Sequence, residues 1–262
     1  MKFLIIAQDL RISGTSEGIV SRSFISKLRK CFQDAIIDVH YFKSDVNDQQ
    51  IKILPINSLV EYLMNREIPY ILKWINKLYW RVFHQSLKEK YIQNKYKKII
   101  QNIAYESYDV IFIRSSGLEY ESILACKDLP ILKNAIINFH DPYPIFYDTS
   151  SNQILTKLDI YNYYEMWEIV KQAKACITPS QLLSKDLQFL YGSAKNFHTL
   201  PHQYCPNSFD LSDVYQVRKK QKNISISYHG GLQFGRNLDI LLDAFAELIE
   251  EDNYIEKNVE LV

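Results

Sequence analysis

The sequence predicts an α/β fold, a parallel sheet with helices on both faces followed by the beginning of a second α/β unit. Three observations carry that prediction. Short apolar runs rich in Ile and Val alternate with stretches of helical pattern, as stacked βαβ units do. The runs span only a few residues and look buried on both faces, as parallel strands are. After a polar stretch, "SISYHGGLQFGRNLDILLDAFAELI" (225–249) starts a new strand, glycine loop and helix, and holds Gly230, Gly231 and Gly235.

The elements follow in order. "FLIIA" (3–7) is a strand, closed by Gln8 and Asp9, and a helix runs from Ile19 to Lys30. "IIDVHYF" (36–42) is the second strand, and 58–104 reads as a helical insertion broken near Pro69. "DVIFIR" (109–114) and "AIINFH" (135–140) are strands separated by a helix at 118–127. A helix at 157–173, a strand "ACITPS" (175–180), a helix at 181–191 ended by Gly192 and a strand "FHTLP" (197–201) complete the first domain, placed at 1–202. The segment 203–223 is polar, with one proline and a basic cluster, and reads as a linker. From 224 to 262 a second domain begins, with a strand at 224–230 and a helix at 237–250. In that helix Leu238, Leu241, Leu242, Phe245, Leu248 and Ile249 recur at helical spacing. The closing "VELV" reads as the start of a further strand.

Composition excludes several function classes. The 262 residues are 47% hydrophobic and 23% charged, a globular balance. A net charge of +1 argues against nucleic acid as partner, since a phosphate-tracking surface shows a basic excess. Four cysteines at 31, 126, 176 and 205 have neither CxxC pairing nor metal-like spacing with histidine, which fits a reduced cytoplasmic setting and no bound metal. The opening apolar run is too short for a secretory core, and no run reaches the length of a membrane span. Between 66 and 98, however, nine Lys and Arg face two acids, Glu67 and Glu89, interleaved with aromatics. That segment is either a solvated helix face or a peripheral contact with an anionic membrane. No GxSxG, HExxH or Walker loop occurs, so hydrolase, metalloprotease and P-loop readings drop out.

"ITPSQLLSKDLQFLYG" (177–192), then "FHTLPHQY" and "ISYHGGLQFGRNLDILLDAFAEL", resembles the middle of family 4 glycosyltransferases, which have the two-domain GT-B fold. "SGTSEGIVSRSFISKL" resembles that family's first glycine-containing loop, and "INFHDPYP" (137–144) its strand ending in His–Asp. The resemblance implies a Rossmann-like N-terminal domain that binds the acceptor and a C-terminal domain that binds a nucleotide-sugar. It also implies a retaining transfer that requires no metal and no cofactor beyond that donor. In the family's donor domain a basic pair follows the first strand. Arg236 occupies the second of those places, whereas Gly231 stands where the first, usually arginine, would be. The family's later pair of glutamates has no counterpart before Val262, so the chain reads as an acceptor half with the donor half largely missing.

The candidate residues follow from strand ends and from that resemblance. Gly14 and Gly18 flank the first strand-to-helix turn, where a bare backbone either approaches a ligand or turns tightly. His140 and Asp141 end a strand where open α/β sheets place ligands, and are the catalytic candidates. A satisfied structural histidine and an Asp–Pro turn are their alternatives. Arg114 ends another strand and either meets an anion or makes a surface salt bridge. Ser180 either contacts the acceptor or caps the helix that follows. Gly230, Gly231 and Arg236 are the donor-phosphate candidates, with Arg236 at a helix mouth where charge and helix dipole both favour a diphosphate.

The expected function is sugar transfer from a nucleotide-sugar to a glycan or lipid-linked acceptor in bacterial surface polysaccharide synthesis, in the cytoplasm or at the inner face of its membrane. The alternatives are a non-catalytic acceptor- or partner-binding module of a split glycosyltransferase, and a fragment of a GT-B-fold sugar-nucleotide epimerase.

Overall fold

The computed structural model describes residues 1–12, 16–44, 54–117, 119–144, 155–192, 197–205, 224–227 and 238–261. The chain divides into two compact units, the first carrying the residues up to Asp210 apart from a short segment near 150, the second those from Leu211 onward.

The first unit is built on seven strands: β1 (Lys2–Ala7), β2 (Ile36–Lys43), β3 (Ser58–Leu63), β4 (Val110–Arg114), β5 (Ala135–Asn138), β6 (Ala175–Thr178) and β7 (Phe197–Thr199). Their order in the sheet is β3-β2-β1-β4-β5-β6-β7, and every pairing is parallel. This is a Rossmann-like sheet. The side chains of β1 alternate between the two faces. Leu4 and Ile6 join a core with Ile111, Ile113, Ile137 and Met166, while Phe3, Ile5 and Ala7 join another with Phe24, Ile37 and Val39. Each fully buried Ile or Phe contributes roughly 1.5–3 kcal/mol, so both faces need a helical cover. Helix α1 (Ser16–Cys31) supplies it on one side through Phe24, Ile25 and Leu28. Helices α3 (Leu87–Ile100) and α5 (Lys157–Gln172) supply it on the other through Ile92, Tyr96, Ile169 and Val170. Between β3 and α3 lies α2 (Tyr70–Phe83). A four-residue α4 (Glu121–Leu124) follows β4, and α6 (Gln181–Tyr191) joins β6 to β7.

Two stretches depart from the expected secondary structure. Residues 58–63 form an edge strand hydrogen-bonded to β2, not the start of a helical insertion. "SLVEYL" is six residues long, so its apolar positions fit either period, and no residue of β3 is buried. The 118–127 helix shrinks to Glu121–Leu124. Helix α5 opens on a capping box, Thr156 accepting from the Asp159 amide while the Asp159 carboxylate accepts from the Thr156 amide.

In the second unit β8 (Ile224–Ile226) pairs in parallel with β9 (Val259–Leu261), and α7 (Asp239–Glu251) and α8 (Asn253–Asn258) connect them. The closing residues therefore do form a strand. No residue of α7 is buried.

Candidate functional site

The strand order reverses between β1 and β4: β2 and β3 lie beyond β1 in one direction, and β4 to β7 in the other. Loops leaving the carboxyl ends of two such neighbours turn to opposite faces and open a crevice. Polar side chains collect there although the surrounding core is apolar. Asp9 and Gln8 follow β1, Arg114, Ser115 and Ser116 end β4, and Asn138 and His140 end β5, all of them buried.

Arg114 organises the cluster. Its Nε donates to Ser21 Oγ on α1 (3.1 Å), its Nη2 donates to His140 Nε2 (3.3 Å), and its guanidinium lies over the Phe24 ring at 4.4 Å. Burial pushes its pKa down to about 9, so the guanidinium remains charged at neutral pH. A guanidinium only donates, so His140 Nε2 must accept. Burial first, then the charges of Arg114 and His202, hold the His140 pKa well below its ordinary value, and the ring is neutral. A neutral imidazole that accepts at Nε2 carries its proton at Nδ1. That Nδ1–H is buried and has no hydrogen-bond partner among the described residues. The His202 ring stands 5.7 Å away, centroid to centroid.

Asp9 faces the same crevice from β1. It accepts from the Arg11 amide (2.9 Å), from Arg11 Nη2 (2.6 Å) and from Ser116 Oγ (3.1 Å), so the carboxylate ties the β1 loop to the β4 loop. Gln8 extends the tie, donating to Glu121 Oε2 and accepting from the Ser122 amide. Gly117 has φ +52°, which favours glycine. A Cβ there would stand 3.0 Å from Glu17 Oε1 and 3.6 Å from Asp141 Oδ2, so two carboxylates converge on this turn. Arg66 pairs with both Glu119 and Glu121 at the rim.

The structure thus brings Gly18, Arg114, His140 and Asp141 to one end of the sheet. Among the described residues Arg114 makes no salt bridge; it is buried and hydrogen-bonded to Ser21 and His140. Gly18 answers a packing need, because a Cβ would come within 2.2 Å of the Arg11 carbonyl oxygen and 2.6 Å of its nitrogen. Ser180 is exposed, and its Oγ caps α6 by accepting from the Leu183 amide at 3.1 Å. Gly14, Gly230, Gly231 and Arg236 lie outside the described residues. Asp9, Ser21, Ser116 and Gly117 were not among the expected site residues. Asp9 obeys the same strand-end logic that singled out His140. Among the described residues no group of His, Cys, Asp and Glu is arranged to hold a metal ion.

No protein family and no curated protein matches the sequence. Solved structures do match the fold. Sucrose-phosphate synthase from Thermosynechococcus elongatus superposes with a TM-score of 0.55 at 12% identity, over 100% of this chain and 70% of that one. A UGT from Medicago truncatula, solved with UDP-glucose, gives 0.50 at 12% identity over 95% of this chain and 64% of that one. Another from Phytolacca americana, complexed with UDP-2fluoro-glucose and pterostilbene, gives 0.50 at 10% identity over 100% and 70%. The fold is GT-B. The GT-B structures matched have longer chains, and this one spans about two thirds of their length. In the GT-B frame, the Arg114–His140 cluster lies at the switch point of the Rossmann-like sheet.

Proposed function

We propose that this chain is the acceptor-binding side of a glycosyltransferase that moves a sugar from a nucleotide-sugar to a glycan or lipid-linked acceptor. The resemblance to family 4 motifs supports a retaining transfer in surface polysaccharide synthesis, at the cytoplasmic face of a membrane, with no metal or cofactor other than the donor. In the reaction an acceptor oxygen bonds to the anomeric carbon, the bond from that carbon to the diphosphate breaks, and the acceptor's proton leaves with a basic oxygen. His140 donates its Nδ1–H to an oxygen of the bound sugar or acceptor, and Asp141 accepts from the acceptor hydroxyl. Arg114 acts through His140 as a positioning residue. Gly14, Gly230, Gly231 and Arg236 are assigned by resemblance, the last three to the donor diphosphate, whose leaving charge a cation and a helix N-terminus would stabilise.

The observation that carries this reading is the buried Nδ1–H of His140, without a partner among the described residues, at the switch point of a GT-B sheet. A buried N–H left without a partner costs roughly 1–3 kcal/mol, and a ligand oxygen would remove that cost. The test is incubation with UDP-, GDP- and ADP-sugars and lipid-linked glycan acceptors, read by mass spectrometry. Saturable acceptor binding, weakened at least about ten-fold by His140→Ala, is the expected result, with addition of one sugar mass to the acceptor wherever the donor side is also supplied. Acceptor binding without transfer supports the module of a split enzyme, and an epimerised donor supports the epimerase. Neither binding nor turnover of any sugar overturns the proposal.

A further inference from the structure

Helix α2 is unlike every other described α-helix of the first unit, because none of its fourteen residues is buried. It has two distinct sides. Leu72, Asn76 and Tyr79 are half-buried, and Asn76 Oδ1 accepts from the Leu87 amide at 2.7 Å, which fastens this side to the start of α3. On the other side Ile71 (66% exposed), Trp74 (61%), Ile75 (45%), Leu78 (66%) and Val82 (59%) form one stripe at spacings of three and four. Lys73, Lys77 and Arg81 border that stripe, and the helix contains no acid. Beside it opens a groove of about 810 Å³ whose lining includes Lys73, Lys77, Lys88 and Arg66 against one acid, Glu67.

We infer that α2 docks this protein onto an anionic lipid bilayer, its apolar stripe lying at the depth of the headgroups and its cations meeting lipid phosphates. A helix of this length covers about 21 Å, enough to lie in the interface and too short to cross a membrane. The exposed Tyr70 and Trp74 suit the interface, where one end of such a ring is wet and the other apolar. Charge selects the occupant. A second copy packed about a two-fold axis would set the Lys73–Lys77–Arg81 edge close to its own equivalent, whereas lipid phosphates complement it. The inference deepens the lipid-linked reading of the acceptor but does not depend on it, because docking needs neither donor nor turnover.

Sedimentation with vesicles tests it, using phosphatidylcholine alone and an equimolar mixture with phosphatidylglycerol, with no sugar donor present. The protein should partition at least ten-fold more strongly to the anionic vesicles, and less as salt rises. Lys73→Gln with Lys77→Gln should weaken that binding about 25-fold, each cation being worth about five-fold near the surface. Trp74→Glu with Leu78→Glu should abolish it, while Phe189→Glu, which removes an exposed aromatic on α6, should leave it unchanged. Because the altered α2 side chains are exposed, thermal melts of the variants should match the parent. In the unaltered protein, tryptophan emission should shift to the blue on anionic vesicles, a readout that needs no variant. Equal sedimentation with both vesicle types overturns the inference, as does a vesicle-free dimer that Trp74→Glu with Leu78→Glu dissociates.

Discussion

Replacing Gly18 by alanine adds one methyl group where the backbone leaves no room. Its Cβ would lie 2.2 Å from the Arg11 carbonyl oxygen, 2.6 Å from the Arg11 nitrogen and 2.9 Å from Asp9 Oδ1. Ordinary contact begins at 3.4 Å, so the first of these is about 1.2 Å too close, and the atom in the way is main chain and cannot rotate aside. Either the first turn of α1 or the loop after β1 must move. Overpacking of this kind costs about 1–3 kcal/mol. The displaced Arg11 amide weakens its hydrogen bond to Asp9, about 1 kcal/mol, and alanine returns about 1 kcal/mol of helix propensity. The net is a loss of about 2 kcal/mol, or a Tm lower by about 4–8 °C for a domain of this size. Thermal unfolding followed by circular dichroism reads it directly. If the packing of Gly18 were irrelevant, helix propensity alone would act, and an unchanged or raised Tm would refute the argument.

Three further outcomes follow from the same cluster and its neighbours. Burial lowers the folded-state pKa of His140 below its unfolded value, so its contribution to stability is present above about pH 6.5 and is lost as pH falls, the unfolded chain taking up a proton that the native ring refuses. His140→Gln should therefore flatten the acid side of the stability curve by up to about 1.4 kcal/mol per pH unit, and equal slopes for the two proteins would count against a buried neutral ring. Arg114→Met should raise the His140 pKa only part of the way, since burial is the larger cause, and should release the ring from its single tautomer; histidine NMR that shows neither change would contradict the assigned hydrogen bond. Ser180→Ala should cost about 1 kcal/mol by removing the α6 cap and Ser180→Asp should restore it, with acceptor binding unaltered in both; a loss of binding without loss of stability would favour the acceptor contact.

The central strands were legible because their side chains are buried on both faces, which leaves an uninterrupted apolar run such as "FLIIA". The edge strand β3 was not, since exposure removed the pattern that would distinguish it from a helix. Arg114, His140 and Asp141 stood out for ending apolar runs. Their partners did not, because Asp9 and Ser116 are separated by more than a hundred residues and meet only through the pairing of β1 with β4. The sequence pattern allowed Gly18 to be a ligand-facing or a packing glycine, and the packing reason became visible only with the position of the Arg11 carbonyl. For the segment 66–98 the bland and the functional readings separate inside the segment itself. Tyr96 and Ile92 of α3 are core, while α2 keeps its apolar side in solvent.

The most direct test is long-range proton–nitrogen NMR of the histidine side chains at neutral pH, during titration with a prenyl-diphosphate-linked sugar. His140 should be neutral with its proton on Nδ1, and that nitrogen should shift saturably on binding, while His198, exposed on the last strand β7, stays in place. A protonated His140, a proton on Nε2, or saturable binding that leaves the His140 Nδ1 signal unmoved would contradict the assignment of this N–H to the acceptor site.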